Sequence, residues 1–284
     1  MGPSWTVESN DGSQIAGYEL GGSGEVLLIA HATGLCGAMY QLFADHLADR
    51  FRVVAFDFRG HGDSSASPDI DYGWDRMAED VAAVTENIGV ETIHGFGHSM
   101  GGAALLLTER NVPSTFASMF LFEPIIFPDD VSKEGQNVMG AAARRRRAEF
   151  DSRADVLYRY AGRPPFNQIH AGFLAGYVDN GFAEQPDGRV RLKCLPEVEA
   201  QIFENGRLIE LSAVQHLTTP IAVAVGRDEP GPNPARLGPP LADALVSGTL
   251  FRYDHIGHFG PLQDPWTIAR DLANHVVTTA GSNV

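Results

Sequence analysis

The stretch that most constrains this chain is Gly97-His98-Ser99-Met100-Gly101-Gly102. A short β-rich run over 91–96 leads into it, and good helix formers over 103–110 follow. Gly-x-Ser-x-Gly between a strand and a helix spells a turn sharp enough to hold the serine in a strained backbone conformation. The side chains two before and two after must then be almost absent, hence Gly97 and Gly101. Such a turn lifts Ser99 Oγ clear of a sheet. It also sets the first amides of a helix beside that oxygen, unpaired donors at the positive end of a dipole. A second reading competes. Gly95-Phe96-Gly97-His98-Ser99-Met100 approximates a dinucleotide-binding turn, with Glu123 about twenty residues on, where a ribose-binding acid would stand. Met100 in the place of the third glycine, and a position a third of the way along the chain, count against it.

The rest of the chain supplies a setting for that turn. Runs 5–9 and 13–20 read as strands joined at Asn10-Asp11-Gly12, a hairpin signal. Runs 25–30, 51–58, 116–123 and 220–226 are nearly continuous apolar segments, as expected of strands buried on both faces, and 248–253 is a last strand. Between them lie amphipathic stretches. Met39, Leu42, Phe43 and Leu47 share one helical face, Met77, Val81, Val84 and Ile88 another, and helices are predicted near 235–246 and over 266–278. This alternation implies an α/β fold with a mostly parallel sheet covered on both sides, whose sites form outside the C-terminal strand ends. His31, Arg59 and Ser99 all fall at such ends. Regularity stops near Phe127 and resumes at Pro220, which predicts a core of 1–127 and 214–284 with a helical cap inserted at 128–213. The cap carries Arg144-Arg145-Arg146-Arg147. Consecutive arginines on a helix point in four directions, so most should be solvated or paired with local acids.

Composition narrows the partners. A net charge of −15 disfavours nucleic acid and anionic membranes, and a small-molecule substrate is expected instead. No apolar run is long enough to span a bilayer, and no basic-then-apolar leader is present, so a cytoplasmic location is expected. The start Met1-Gly2-Pro3-Ser4-Trp5-Thr6 fits the loose myristoylation pattern, but no basic patch follows to supply a second anchor. Cys36 and Cys194 form no metal or redox motif, and Cys36 reads as a small buried hydrophobe. His255 and His258 lack the glutamate of a helical zinc-protease motif, so no metal is expected. Oligomeric state is not written in the chain.

A serine hydroxyl needs a base at neutral pH. His258, in a loop after the last strand and beside Gly257, is the candidate, with His255 a polar turn residue and His98 a packing or hydrogen-bonding group. The base needs an acid to hold its tautomer. Glu229 is placed first, with Asp228 and Glu123 as alternatives, because all three follow the C-terminal ends of strands. Two amides should form an oxyanion hole: that of Met100, after the nucleophile, and that of Thr33, in the turn after the first parallel strand.

With these residues in place, the chain resembles the α/β-hydrolase superfamily over almost its whole length. The likeness rests on His31-Ala-Thr-Gly34, Asp57-Phe-Arg-Gly-His-Gly-Asp-Ser64, Gly97-His-Ser-Met-Gly-Gly102 and Gly257-His258 ahead of Asp264-Pro265. It implies an eight-stranded sheet, a serine nucleophile, a lid after the sixth strand and no cofactor. Ala32 departs from the family's usual His-Gly. The family's acid usually stands three residues after the glycine ending the seventh strand, which is Glu229. Some relatives, haloalkane dehalogenases among them, take a glutamate 24 residues beyond the nucleophile, the spacing of Glu123 from Ser99. The function expected is hydrolysis of an ester or related carbonyl substrate through an acyl-enzyme on Ser99. The alternatives are a carbon–carbon bond or lactone hydrolase on the same triad, or a non-catalytic ligand receptor of the same fold.

Overall fold

The computed structural model describes all residues except 68, 130–136, 206–208, 231–232 and 282–284. Eight strands form one sheet: β1 (Trp5–Glu8), β2 (Gln14–Gly21), β3 (Glu25–Ala30), β4 (Phe51–Phe56), β5 (Ile93–His98), β6 (Ser118–Phe122) and, late in the chain, Ile221–Gly226 and Gly248–Tyr253. Three short strands lie between the last two and β6: β7 (Glu149–Phe150), β8 (Phe182–Glu184) and β9 (Val190–Leu192), so the late pair are β10 and β11. The main sheet runs in the order β1-β2-β4-β3-β5-β6-β10-β11. Among the described residues of this sheet, only the β1–β2 and β2–β4 pairings are antiparallel.

The apolar runs explain this. Alternate residues of each central strand enter different cores, Leu27 and Ile29 on one face, Val26 and Leu28 on the other. Helices α2 (Trp74–Ile88) and α3 (Met100–Asn111) cover the second face, where Met77, Val81 and Val84 are buried as their spacing predicts. The first face is covered by α1 (Gln41–Asp45) and the C-terminal helix over 265–281, whose Ile268, Leu272 and Val276 are buried.

Two helical expectations come out shorter than their apolar spacing suggested. Around Met39 the chain makes a 3-10 turn, Gly37–Tyr40, before α1. Around 235–246 it makes a second, Pro234–Arg236, before a seven-residue helix, Gly238–Ala244, with proline in its first turn.

The stretch expected to be a helical cap holds four helices, α4 (Asn137–Arg144), α5 (Arg153–Ala161), α6 (Ala171–Asn180) and α7 (Pro196–Asn205), and the small sheet β7-β9-β8. Those strands are two or three residues long, too short to show alternation in sequence. With α1 to α7 assigned, the three remaining helices are α8 (Gly238–Ala244), α9 (Gly260–Gln263) and α10 (Pro265–Gly281).

Candidate active site

The turn between β5 and α3 has the geometry its glycines require. Ser99 sits at φ 55°, ψ −116°, outside the usual L-residue regions. A Cβ on Gly101 would lie 2.2 Å from the Ala30 carbonyl oxygen, and one on Gly97 would lie 2.5 Å from Gly102 Cα. Strand and helix therefore meet at a distance that side chains forbid. The Ser99 amide donates to the Phe122 carbonyl at 3.0 Å, which ties the turn to β6.

β6 ends at a second strained residue. Glu123 has φ 45° and is fully buried. Its Oε1 accepts the Gly226 amide at 2.8 Å, and its Oε2 lies 2.6 Å from His258 Nδ1. A carboxylate oxygen accepts, so in this contact His258 carries its proton on Nδ1. The other two candidate acids are elsewhere. Glu229 is half-exposed and ion-paired with Arg227 at 2.6 Å, and Asp228 is exposed and paired with Arg236 at 2.7 Å. Of the three candidate acids, Glu123, and not the first-placed Glu229, is the one within hydrogen-bond distance of the imidazole. The loop after β10 turns its acids outward to arginines two and eight residues away along the chain.

His98 holds the loop of His258 from the other side. Its Nε2–H donates to the His258 carbonyl at 2.8 Å, and its Nδ1 faces the Tyr40 hydroxyl at 3.2 Å. Burial, with the neighbouring His258 adding to it, holds the His98 pKa well below the usual histidine value, so this ring stays neutral. The rings of His98 and His258 are 5.1 Å apart, which puts the imidazole over the residue preceding Ser99. His255 pairs with Asp264 at the surface.

The turn after β3 meets the head of α3. Thr33 Oγ1 contacts Met100 Sδ at 3.3 Å, so the two residues expected to give oxyanion amides are neighbours. Two buried histidines build this turn. His31 Nδ1–H donates to the Ala32 carbonyl at 2.8 Å, and its Nε2 accepts the Phe58 amide at 3.1 Å. His61 Nε2 accepts the Gly34 amide at 3.0 Å. Burial pushes His31 down to about 4 and His61 down to about 3, which fits rings that accept hydrogen bonds from amides.

Arg59 does not join the site. Its guanidinium is fully buried between Asp80 and Asp11, each at 2.6 Å, and it also contacts Ser9 and the Asp71 carbonyl. Asp57 likewise accepts from Tyr18 Oη at 2.5 Å and the Gly37 amide at 2.7 Å. The arginine run is expected to lie on a helix, but only Arg144, the last residue of α4, does, and its members part to different partners. Arg144 pairs with Glu197 and Glu204, Arg147 lies over the Phe150 ring at 4.7 Å, and Arg145 is exposed. Arg146 is the exception: it turns inward to Glu199 and Tyr177. Tyr177 is marked by no sequence motif, and Gly226 only by its place at the end of a strand. Each acts through a hydroxyl or amide that only the fold brings to its partner.

The alpha/beta hydrolase fold family model matches residues 25–265. Among individual proteins, RutD of Variovorax paradoxus is 27% identical over 94% of this chain and 98% of its own length. The dihydrolipoyllysine-residue acetyltransferase component of the acetoin cleaving system of Cupriavidus necator is 32% identical over 54% of this chain. That match spans 40% of the relative's length. The crystal structure of E-2-(acetamidomethylene)succinate hydrolase superposes with a TM-score of 0.82 at 21% identity, over 96% of this chain and 98% of that one.

Proposed function

Because the chain belongs to the α/β-hydrolase fold family, we propose that it hydrolyses an ester or related carbonyl compound through an acyl-enzyme on Ser99. The observation that carries this reading is the 2.6 Å contact between Glu123 and His258, made across 135 residues of chain and on a fully buried carboxylate. Such a carboxylate holds one imidazole tautomer and stabilises the imidazolium that forms when Nε2 takes the serine proton. Ser99 Oγ attacks the carbonyl carbon, and His258 then returns the proton to the leaving group. Water activated by the same nitrogen releases the acid. The amides of Thr33 and Met100 receive the negative charge of each tetrahedral intermediate, a contribution of roughly 10²–10³ in rate per donor. The names of two relatives point the same way: RutD is named for carbamate hydrolysis, and the superposed crystal structure for hydrolysis of an acetamidomethylene succinate.

A fluorophosphonate probe tests the nucleophile. Covalent labelling at Ser99, lost together with p-nitrophenyl ester turnover in Ser99→Ala, is the expected result. Unlabelled protein, or a Ser99→Ala variant that turns over normally, overturns the reading. A panel of acyl chain lengths, lactones and diketones then defines the bond.

A further inference from the structure

Three segments of the inserted region converge on one glycine of the turn that carries Thr33. Tyr177, from α6, donates its hydroxyl proton to the Gly34 carbonyl at 3.0 Å. The same hydroxyl oxygen accepts Arg146 Nη2–H at 3.0 Å, and the other end of that guanidinium is held by Glu199 of α7. Gly34 has φ +77°, and a Cβ there would lie 2.5 Å from Glu199 Oε1 and 3.2 Å from Arg146 Nη1, so the ion pair rests directly on the turn. The amide of the same residue, in the preceding peptide group that links it to Thr33, is held from the core by His61. Tyr177 itself is 1% exposed, stacked on Phe166 at 5.0 Å and edge-on to Phe182 at 5.7 Å. Its phenol thus has a fixed direction.

We propose that Tyr177 is a positioning residue for catalysis: through Gly34 it holds the Thr33 amide where the oxyanion forms, with Arg146 and Glu199 fixing the phenol. The chemical logic rests on the serine-hydrolase reading above. An oxyanion hole gives its full effect only when its donors already stand where charge develops. Thr33 lies in a turn with no regular secondary structure, so its direction depends on what holds Gly34. His61 anchors the amide side and Tyr177 the carbonyl side, one from the core and one from the inserted region. Arg146 is already compensated by Glu199, so it is matched to this supporting task rather than to capture of a substrate carboxylate.

Tyr177→Phe keeps the ring packing and removes both hydrogen bonds. The expected result is a fall in kcat for a p-nitrophenyl ester of about 10-fold with KM within about twofold, since a donor displaced costs part of the roughly 10²–10³ a donor removed would. Phosphonylation of Ser99 by the fluorophosphonate should slow in parallel, because that adduct uses the same hole. Glu199→Gln, which loosens the guanidinium but leaves the phenol, should lower kcat in the same sense by a smaller factor, and serves if Tyr177→Phe does not fold. An unchanged kcat in a folded variant, or a raised KM with kcat intact, overturns the proposal while leaving the nucleophile assignment standing. Full activity in Ser99→Ala overturns both.

Discussion

Two non-glycine residues at the centre of this molecule hold positive φ, Ser99 at 55° and Glu123 at 45°. Strain of this kind costs on the order of 1–3 kcal/mol per residue and persists where surrounding structure over-determines it. Here the surroundings are specific: the Ser99 amide bonds to Phe122, and the Glu123 amide to Ala224. Both strained residues therefore hang from hydrogen bonds to the neighbouring strand. Three carboxylates compete for one imidazole on sequence grounds, and geometry separates them. Glu123→Gln is expected to lower ester turnover by about 10⁴, since an amide no longer enforces the tautomer. Glu229→Gln and Asp228→Asn, each removing only a surface ion pair, should leave kcat near wild type. Steady-state kinetics on the three purified variants decides it, and comparable losses in all three would contradict the assignment.

At the scale of elements, the loop after β4 does structural work where sequence suggested a share in the site. Arg59 bridges that loop to Asp80 on α2 and to Asp11 in the β1–β2 hairpin. Taking away one partner of a fully buried pair strands the other charge, a cost of about 3–5 kcal/mol. Arg59→Met should lower the urea midpoint accordingly while kcat measured well below the transition stays close to wild type. A large kcat loss at unchanged stability would return Arg59 to the site. The same loop also receives the inserted region: Lys193 pairs with Asp63 at 2.6 Å, and Val198 of α7 fills the space beside Gly60. α7 thus rests on two core turns, at Gly34 and at Gly60. The turn bearing Thr33 is accordingly shaped by both parts of the chain.

For the molecule as a whole, the buried neutral histidines tie stability to pH. His31 and His61 titrate near 4 and 3 when folded, against an ordinary value of 6.5 when unfolded. Between 6.5 and 4 the unfolded chain therefore binds two protons that the native state refuses. The stability these groups contribute is complete above 6.5 and is lost as pH falls, at about 1.4 kcal/mol per pH unit for each. Denaturant titrations at pH 7 and pH 5 on wild type and His61→Asn isolate one of them. The stability gap between the two proteins should narrow by about 2 kcal/mol on going to pH 5. A gap that does not change would mean that His61 is protonated in the native state.

What the sequence determined alone is the class of fold and the sharp turn on which Ser99 sits. Apolar runs alternating with amphipathic stretches leave few options besides a parallel sheet covered on both sides. A serine between two glycines at a strand-to-helix junction can occupy only a sharp turn. These are local constraints, written in periodicity and in missing side chains, so they survive without coordinates. The partner of His258 was decided by tertiary structure, because Glu123, Asp228 and Glu229 share the same local signal and differ only in whether an arginine or an imidazole lies within reach. The hold of Tyr177 on Gly34 was decided in the same way. It joins residues 143 apart through a hydroxyl and a backbone carbonyl, groups that any tyrosine and any residue possess, and only packing tells one such pair from another.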